Sequence, residues 1–278
     1  MKRASDWFWC PLLYTNMAKK IIPKKAKSTK SGKNRHWFKR FLRFIGFSIL
    51  SFFLFSIAMV VIYRFVPIPV TILQLTRCVE QFQDDREVLL YKDWEPLENI
   101  SNKLQLAVVC AEDQKFLTHY GFDVEAIEKA IEHNKKGKKV RGASTISQQT
   151  AKNVFLWEGR TWVRKGLEVY FTALIELFWS KERIMEVYLN VIEMGDGIYG
   201  AQAASKHYFR KDAADLSTSQ AALLASILPS PRRYSVSRPS GFVRGRQSWT
   251  TRQMGQWGGK LDYDNPPVHK EKRKRKKK

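Results

Sequence analysis

Two short segments of this chain carry side chains suited to acid–base and anion chemistry. The first is E-D-Q-K-F-L-T-H-Y-G from Glu112 to Gly121, and the second, twenty residues further on, is G-A-S-T-I-S-Q-Q-T-A-K-N from Gly142 to Asn153. A carboxylate held beside an aromatic side chain on a concave surface suits a general base that works near neutral pH. The alternative is that Glu112 is an exposed glutamate on an amphipathic helix. The sequence of that helix does not favour either interpretation over the other.

The apolar pattern places Glu112 toward the C-terminal end of a helix whose N-cap is Ser101. The helix macrodipole disfavours negative charge there, and burial would raise the pKa of Glu112 further, whereas Lys115 would lower it. Helical spacing also predicts that Phe116 and His119 lie on the same face as Glu112. For His119 a role as a cap of the helix end is the simpler interpretation, ahead of a catalytic one.

A second carboxylate, Glu168, follows a group of basic residues. If a helix starts near Thr161, then Arg164, Lys165 and Glu168 share one face, with Arg160 at its entrance. One interpretation is a ladder of salt bridges, each worth a few tenths of a kcal/mol. The other is an anion site that holds a pyrophosphate leaving group. Its cations would be four residues within a span of fourteen: Lys152, Arg160, Arg164 and Lys165.

The segment from Gly142 to Asn153 has no hydrophobic period that would make it part of a core. Its small and amide side chains offer many hydrogen bonds at little bulk, which suits a sugar–phosphate groove. The alternative is an ordinary polar loop, and the density of Gln148, Gln149, Lys152 and Asn153 argues against it. We therefore expect a groove that binds substrate through hydrogen bonds.

The elements that would position these residues are mainly helical. Apolar stripes at three- and four-residue steps predict one helix from Trp162 to Phe178 and another from about Lys181 to Glu193. Ser217 and Gln220 form a capping-box pair that starts a further helix. No segment shows a sustained two-residue alternation, and residues 70–100, which have no clean period, are assigned as extended and connecting. The pattern predicts a mainly α domain.

The formal net charge of +23 is concentrated at the two ends of the chain. Residues 1–43 hold 13 Lys and Arg against Asp6, and residues 270–278 hold eight against Glu271. Charge in this position indicates tails near an anionic surface, and no helix-turn-helix pattern or paired Cys/His spacing points to nucleic acid. Cys78 and Cys110 could pair outside the cytoplasm, although two free thiols are the simpler interpretation.

A membrane anchor precedes the domain. Phe44 to Tyr63 is a stretch of twenty residues without a charge, and a helix of that length spans a hydrocarbon core of about 30 Å. A cleavable signal peptide is the alternative, but the stretch is too long, begins too deep in the chain and lacks a small-residue cleavage site. The basic residues before it place the N-terminus in the cytoplasm. The predicted segments are a cytoplasmic leader (1–43), a transmembrane helix (44–63), an outer domain (67–260) and a basic tail (261–278).

Five blocks in the expected order make the outer domain resemble glycosyltransferase family 51, the transglycosylase module of peptidoglycan synthases. Three blocks join the two segments above: R-K-G-L-E at 164–168, K-E-R-I-M-E-V-Y-L-N at 181–190 continuing to G-I-Y-G-A at 197–201, and A-A-L-L-A-S-I-L-P-S-P at 221–231. The resemblance covers residues from about 90 to 258. It implies a lysozyme-like, α-helical glycosyltransferase domain with a small membrane-associated lobe between the first and third blocks.

The resemblance also implies a reaction and residue roles. The reaction is the polymerisation of lipid II by inverting β-1,4-glycosyl transfer, with release of undecaprenyl pyrophosphate. Glu112 resembles the catalytic base and Glu168 the second essential carboxylate, while Lys152 and Arg160 match residues assigned to the pyrophosphate. Three residues fall in the donor-site motif: Ser144, Gln148 and Asn153. A divalent cation, Mg²⁺ or Mn²⁺, is expected from the family, although no ligand set for it is visible in the spacing, and no organic cofactor is expected.

The same resemblance implies the monofunctional form, because no Ser in the chain has a Lys three residues later, as the transpeptidase motif S-x-x-K would require. The expected partners are lipid II, the lipid-linked glycan strand, the membrane and other cell-wall synthesis and division proteins, with no nucleic acid. The expected location is the bacterial inner membrane, single-pass, with the catalytic domain on the periplasmic side. Two rival functions stay open: a peptidoglycan-cleaving, lysozyme-like enzyme and a non-enzymatic membrane scaffold.

Overall fold

The computed structural model describes residues 31–137, 142–159 and 161–265. Over these residues the chain is mostly helical, as predicted, with three two- or three-residue strands. The helices are α1 (Ser31–Tyr63), α2 (Ile72–Gln83), α3 (Asn102–Glu112), α4 (Val124–Lys135), α5 (Ile146–Phe155), α6 (Trp162–Phe178), α7 (Lys181–Val191), α8 (Ala201–Phe209), α9 (Thr218–Ile227) and α10 (Gly241–Gln256). The strands β1 (Tyr91–Lys92), β2 (Glu193–Gly195) and β3 (Ile198–Tyr199) form a sheet in the order β1–β3–β2, in which β1 is parallel and β2 antiparallel to β3.

The chain divides into two compact units inside α1, the first ending at Leu54 and the second beginning at Phe55. The part of α1 from His36 to Tyr63 has a mean hydropathy of 2.6 and is long and apolar enough to cross a membrane. It contains the predicted span from Phe44 to Tyr63. Most of the predicted leader and the tail from residue 266 onward lie outside the described residues, and the predicted segment boundaries stay predictions.

The second unit is built around α3. Its residues from Leu104 to Cys110 are all buried, as expected for a helix surrounded on every side. Helices α9 and α10 pack against α3, and α5 packs against α6 and α7. Cys110 is buried and Cys78 half-buried, and both are free thiols. Because α3 is held on all sides, the residue at its C-terminal end has a fixed position.

Three predicted helices are found where the sequence placed them. Helix α6 has the predicted bounds, and its N-cap Thr161 accepts a hydrogen bond from the backbone of Arg164. Helix α9 begins with the capping box of Ser217 and Gln220. Helix α7 ends two residues before the predicted position, because the chain turns into β2 at Glu193.

The assignment of residues 70–100 as extended and connecting is wrong, because α2 occupies the first part of that range. The helix begins with a capping box between Thr71 and Gln74. Its polar residues Gln74 and Gln81 are buried, and its larger apolar residues other than Leu73 are exposed. The exposed apolar stripe consists of Ile72, Leu75, Val79 and Phe82. The stripe recurs at helical steps but occupies only the beginning of the range, which as a whole has no period.

Donors from the region around α7 hold the C-terminal end of α1. Trp179 Nε1 donates to the carbonyl of Val60 at 2.8 Å, and the Arg183 guanidinium donates to the carbonyls of Tyr63 and Val66, each at 2.7 Å. The last carbonyls of a helix lack partners within the helix, and cationic donors satisfy them well. These contacts fix the first residues of the second unit against α7.

Candidate active site

Glu112 is the last residue of α3, and only 13% of its side chain is exposed. Gln149 Nε2, from α5, donates to Glu112 Oε2 at 3.0 Å, and Arg246 Nη2, from α10, lies 3.7 Å from Glu112 Oε1. The buried Tyr188 hydroxyl, from α7, donates to Gln149 Oε1 at 3.2 Å. The Gln149 amide is therefore held with its N–H group toward the carboxylate, and four helices converge on Glu112.

Burial raises the pKa of Glu112 above its ordinary value, and the charge of Asp113 adds to the increase. The hydrogen bond from Gln149 and the positive charges of Arg246 and Lys152 lower the pKa, but they do not cancel the effect of burial. A carboxyl group whose pKa is raised toward neutrality is suited to accept a proton during a reaction. The geometry thus favours the general-base interpretation over that of an exposed glutamate.

Three sequence expectations near Glu112 are wrong, because α3 ends at Glu112 itself. Asp113 leaves the helical conformation, with φ −156° and ψ 81°, so Phe116 and His119 do not share a helix face with Glu112. The side chain of His119 does not cap the helix, because its Nε2 bonds the Asp113 carboxylate at 3.0 Å. Lys115 pairs with acidic residues at the start of α4 instead of acting on Glu112.

Asp113 joins the two helices that carry the candidate chemistry. Its buried carboxylate accepts a hydrogen bond at 3.0 Å from the backbone N–H of Ile146, the first residue of α5. The first N–H groups of a helix lack partners within it and attract negative charge. Asp113 therefore locks the end of α3 to the start of the helix that carries Gln149 and Lys152.

The polar segment that the sequence excluded from the core forms the buried helix α5 and the loop before it. Gln148 closes a capping box, since its Oε1 accepts the Thr145 N–H at 3.1 Å while Thr145 Oγ1 accepts the Gln148 N–H at 3.2 Å. The Thr150 hydroxyl donates to the carbonyl of Ile146 at 2.9 Å. Local bonds of this kind let polar residues be buried. Gln148 is therefore used at the helix end, and Ser144 is exposed in the preceding loop.

A cavity of about 570 Å³ lies beside α5. Four of the residues predicted to bind substrate line it: Gln149, Lys152, Asn153 and Arg164. Its walls also contain Arg77 from α2, Glu158, Glu193 from β2 and several apolar side chains, among them Leu156, Trp157, Pro229 and Pro231. Glu112 is not in the lining, and Gln149 connects its carboxylate to the cavity through the 3.0 Å hydrogen bond.

Several buried polar atoms of the lining residues have no hydrogen-bond partner within the described part of the chain. They are Asn153 Nδ2, Arg164 Nε, Arg77 Nε and Glu193 Oε1. Buried polar groups in folded proteins are almost always paired, so a cluster of exceptions calls for an explanation. A polar ligand in the cavity would supply the missing partners.

Glu168 is buried on α6, with Arg164 Nη1 at 3.0 Å and Lys165 Nζ at 2.5 Å from its carboxylate. The salt-bridge ladder is thus present, and Arg164 also lines the cavity, so the two interpretations of this segment are compatible. Lys152 keeps contact with solvent, but partial loss of hydration lowers the pKa of its ammonium group, which the charge of Glu168 opposes. Arg160 lies outside the described residues.

Sequence reasoning missed four residues of this arrangement: Tyr188, Arg246, Arg77 and Glu193. They come from α7, α10, α2 and β2, and only the fold brings them to Glu112 or to the cavity. Tyr188 lies within the block K-E-R-I-M-E-V-Y-L-N, and Glu193 follows that block by three residues. That block was the one local signal that could have led to them.

Comparisons with known proteins identify the family. A family model described as Transglycosylase matches residues 79–255. The chain is 54% identical over 218 residues to a protein of Pseudomonas putida named biosynthetic peptidoglycan transglycosylase, across 78% of this chain and 92% of the relative. Relatives of the same name from Pseudomonas entomophila and Pseudomonas syringae pv. syringae are 55% and 53% identical over the same shares of the two chains.

Proposed function

Because the chain belongs to the transglycosylase family, we propose that it polymerises lipid II into the glycan strands of peptidoglycan. The reaction is an inverting β-1,4-glycosyl transfer. The growing strand, linked through a diphosphate to undecaprenol, is the donor, and lipid II is the acceptor. The observation that carries the proposal is the hydrogen bond between Glu112, whose pKa is raised, and Gln149 in the wall of a cavity with cationic side chains.

Glu112 is the general base of the proposed reaction. It removes the proton of the acceptor 4-hydroxyl while that oxygen attacks the anomeric carbon of the donor from the face opposite the diphosphate. The new C–O bond forms as the bond to the diphosphate breaks, so the configuration inverts, as in inverting glycosidases with a sugar hydroxyl in place of water. The proton on Glu112 then passes to solvent. Gln149 and Arg246 orient the carboxylate for this transfer.

Cationic side chains stabilise the negative charge that develops on the departing diphosphate. Lys152 and Arg164 line the cavity, and Asn153 adds an amide nitrogen that has no partner within the described ranges. Glu168 contributes by position, because it holds Arg164 and Lys165 on one face of α6. By family resemblance Arg160 joins this group.

A divalent cation, Mg²⁺ or Mn²⁺, is part of the proposal. Among the described residues there is no cluster of three or more His, Cys, Asp and Glu placed to hold a metal. Mg²⁺ is nevertheless often held by one or two carboxylates together with the phosphates of the substrate. Glu158, which lines the cavity and has 40% of its side chain exposed, fits that arrangement. When bound, such a cation would neutralise part of the diphosphate charge.

The proposed location is the bacterial inner membrane, with the N-terminus in the cytoplasm and the catalytic domain on the periplasmic side. The apolar span of α1 and the basic residues before it support this orientation. Helix α2 begins only nine residues after α1 ends and exposes its apolar stripe. Helix α4, in the predicted lobe, also exposes Val124 and Ile131. Apolar surface of this kind is favourable against lipid and costly in water.

Purified full-length protein in detergent micelles or proteoliposomes, supplied with lipid II, tests the proposal. Wild-type protein should produce long glycan strands, visible by gel separation of the products. Glu112→Gln keeps the shape of the side chain but removes the base, and loss of one general base typically lowers the rate about 10²- to 10⁴-fold. Glu98→Gln, at a carboxylate on the 3₁₀ turn Leu97–Asn99, is the matched control and should act as wild type.

Two results would each identify one of the rival functions. Release of short fragments from mature cell wall, without polymerisation of lipid II, would identify a peptidoglycan-cleaving enzyme. A wild-type protein that leaves both substrates unchanged, and whose cellular role survives Glu112→Gln, would identify a membrane scaffold.

A further inference from the structure

The cavity beside α5 has two chemically different ends. Among the described residues, the charges that act on Lys152 include those of Glu168, Arg164, Lys165 and Glu158. Those that act on Glu193, on the other wall, include the charges of Arg77, Arg232, Asp196 and Glu158. Glu158 belongs to both sets. One end of the cavity is therefore cationic and suited to phosphates, and the other is organised around a buried carboxyl group.

The carboxyl group of Glu193 has an oxygen available to bind a ligand, and the proposed mechanism gives this group no role. Its residue is 6% exposed, and its Oε1 atom has no hydrogen-bond partner among the described residues. Its other oxygen, Oε2, lies 3.8 Å from Arg77 Nε, too far for a good hydrogen bond. Leaving a buried acceptor of this kind unpaired is costly. Arg77 is itself held by Glu80 at 2.6 Å and by Glu158.

Burial raises the pKa of Glu193 to about 7, against the opposing charges of Arg77 and Arg232. Near neutral pH the carboxyl group is therefore present in both protonation states, and in each state it keeps an oxygen able to accept a hydrogen bond. A fixed anion beside a phosphate site would repel a second phosphate. The group at this end of the cavity is accordingly a hydrogen-bond donor without negative charge, and a neutral donor suits both protonation states of the carboxyl group.

The size and the lining of the cavity indicate which chemical group carries that donor. A volume of about 570 Å³ is in the range that holds a drug-sized ligand, so a diphosphate leaves room for more. The lining residues Leu156, Trp157 and Pro229 are apolar and suit a methyl group or the face of a sugar ring. A neutral N–H donor carried next to a methyl group is an acetamido group.

Resting on the proposed function, we infer that Glu193 is a specificity-determining residue that accepts a hydrogen bond from the acetamido N–H of the amino sugar bonded to the diphosphate. In such a sugar the acetamido group is on C2, adjacent to the anomeric carbon that carries the diphosphate. One cavity can therefore hold the phosphates at the end with Lys152 and the acetamido group at the end with Glu193. Arg77 keeps the Glu193 carboxyl in position.

The test compares two ligands on full-length protein in detergent micelles. Both are short-chain prenyl diphosphate sugars, one with a 2-acetamido group and one with its N-methylated form, which keeps the carbonyl and the methyl group but has no N–H to donate, and their dissociation constants are measured by calorimetry. Hydrogen bonds to charged groups are worth about 1.5–3 kcal/mol, so wild type should prefer the acetamido ligand about 10- to 100-fold. Glu193→Met should bind the two ligands equally, and Glu193→Gln, whose amide oxygen still accepts, should keep a preference.

Inorganic pyrophosphate is the control ligand, and its affinity in both variants should be at least that of wild type, because each variant removes a negative charge near the phosphate site. If Glu193→Met does not fold, judged by circular dichroism, Glu193→Asp serves instead. It keeps the charge and withdraws it by one methylene, so it must reduce the preference.

A Glu193→Met protein that folds and retains the wild-type preference would overturn the inference. So would a variant that loses Mg²⁺-dependent binding of pyrophosphate, because Glu193 would then be a cation ligand. Neither result touches the proposed function, which fails only if wild-type protein does not polymerise lipid II.

Discussion

Replacement of Arg246 separates an electrostatic role in catalysis from a purely structural one. Arg246 Nη2 lies 3.7 Å from Glu112 Oε1, and its positive charge is one of the influences that lower the pKa of Glu112. Arg246→Met removes that charge and keeps much of the side-chain bulk. A base acts in its ionised form, which is present above its pKa. The variant should therefore need a higher pH than wild type to reach the same fraction of its maximal rate.

The size of the effect follows from the separation and the exposure of the two groups. Opposite unit charges about 4 Å apart attract by about 1 kcal/mol in water and about 4 kcal/mol near a protein surface. The Arg246 side chain is 30% exposed and that of Glu112 is 13% exposed, which places this pair between the two limits. Arg246→Met therefore loses an attraction of between about 1 and 4 kcal/mol, and the pKa of Glu112 rises further.

The assay is the pH dependence of kcat/KM for polymerisation of lipid II, with its acidic limb compared between variants. Arg246→Lys retains a cation and should move the limb much less. Arg244→Met removes an exposed charge from the same helix and should leave the limb in place. If Arg246→Met lowers the rate by the same factor at every pH and the limb does not move, the electrostatic argument is wrong and Arg246 has a structural or substrate-binding role.

Two further predictions concern stability, measured by denaturant unfolding of purified protein in detergent micelles. Asp113→Ala leaves the Ile146 N–H without its buried acceptor and should cost about 1–3 kcal/mol; an unchanged midpoint would show that Asp113 does not join α3 to α5. Gly197→Ala should also destabilise the protein, because φ at Gly197 is +72° and a Cβ would lie 2.6 Å from the carbonyl oxygen of Leu89. The control Gly166→Ala, in open space on α6, should stabilise the protein by about 0.5–1 kcal/mol. Equal effects of the two substitutions would refute the steric account.

Elements whose signals are local could be predicted from the sequence. Helix α6 combines an N-cap at Thr161 with an apolar stripe, and α9 begins at the capping box of Ser217 and Gln220. In both cases residues within one or two turns fix the boundary. The predicted C-terminal position of Glu112 on its helix is also confirmed. What followed Glu112 was not predictable in this way, because Asp113 turns out of the helix to bind residues 6 and 33 positions later in the chain.

In the candidate site, too, residues with a local signal could be predicted and residues brought in by the fold could not. Gln149, Lys152 and Asn153 were identified from the density of polar residues and Arg164 from the cluster of cations before Glu168, and all four line the cavity. Gln148 looks equivalent to Gln149 in the sequence, but one residue is a rotation of about 100° on a helix. That rotation turns Gln148 back to Thr145 and Gln149 to the carboxylate of Glu112. Of the long-range partners of the site, Tyr188 and Glu193 are marked only by the block K-E-R-I-M-E-V-Y-L-N, and Arg77 and Arg246 have no local signal.

Helix α2 was missed although its apolar stripe recurs at helical steps, because the prediction treats residues 70–100 as one segment and the stripe occupies only its beginning. Here the polar side chains of Gln74 and Gln81 face inward, and Leu89 N–H donates to Gln81 Oε1 at 2.8 Å. The apolar stripe from Ile72 to Phe82 faces outward, which is unfavourable in water and favourable in lipid. The same helix puts Leu73 and Arg77 into the cavity wall. A helix with lipid on one face and the cavity on the other would let a lipid-linked substrate reach Lys152 while its chain stays in the bilayer.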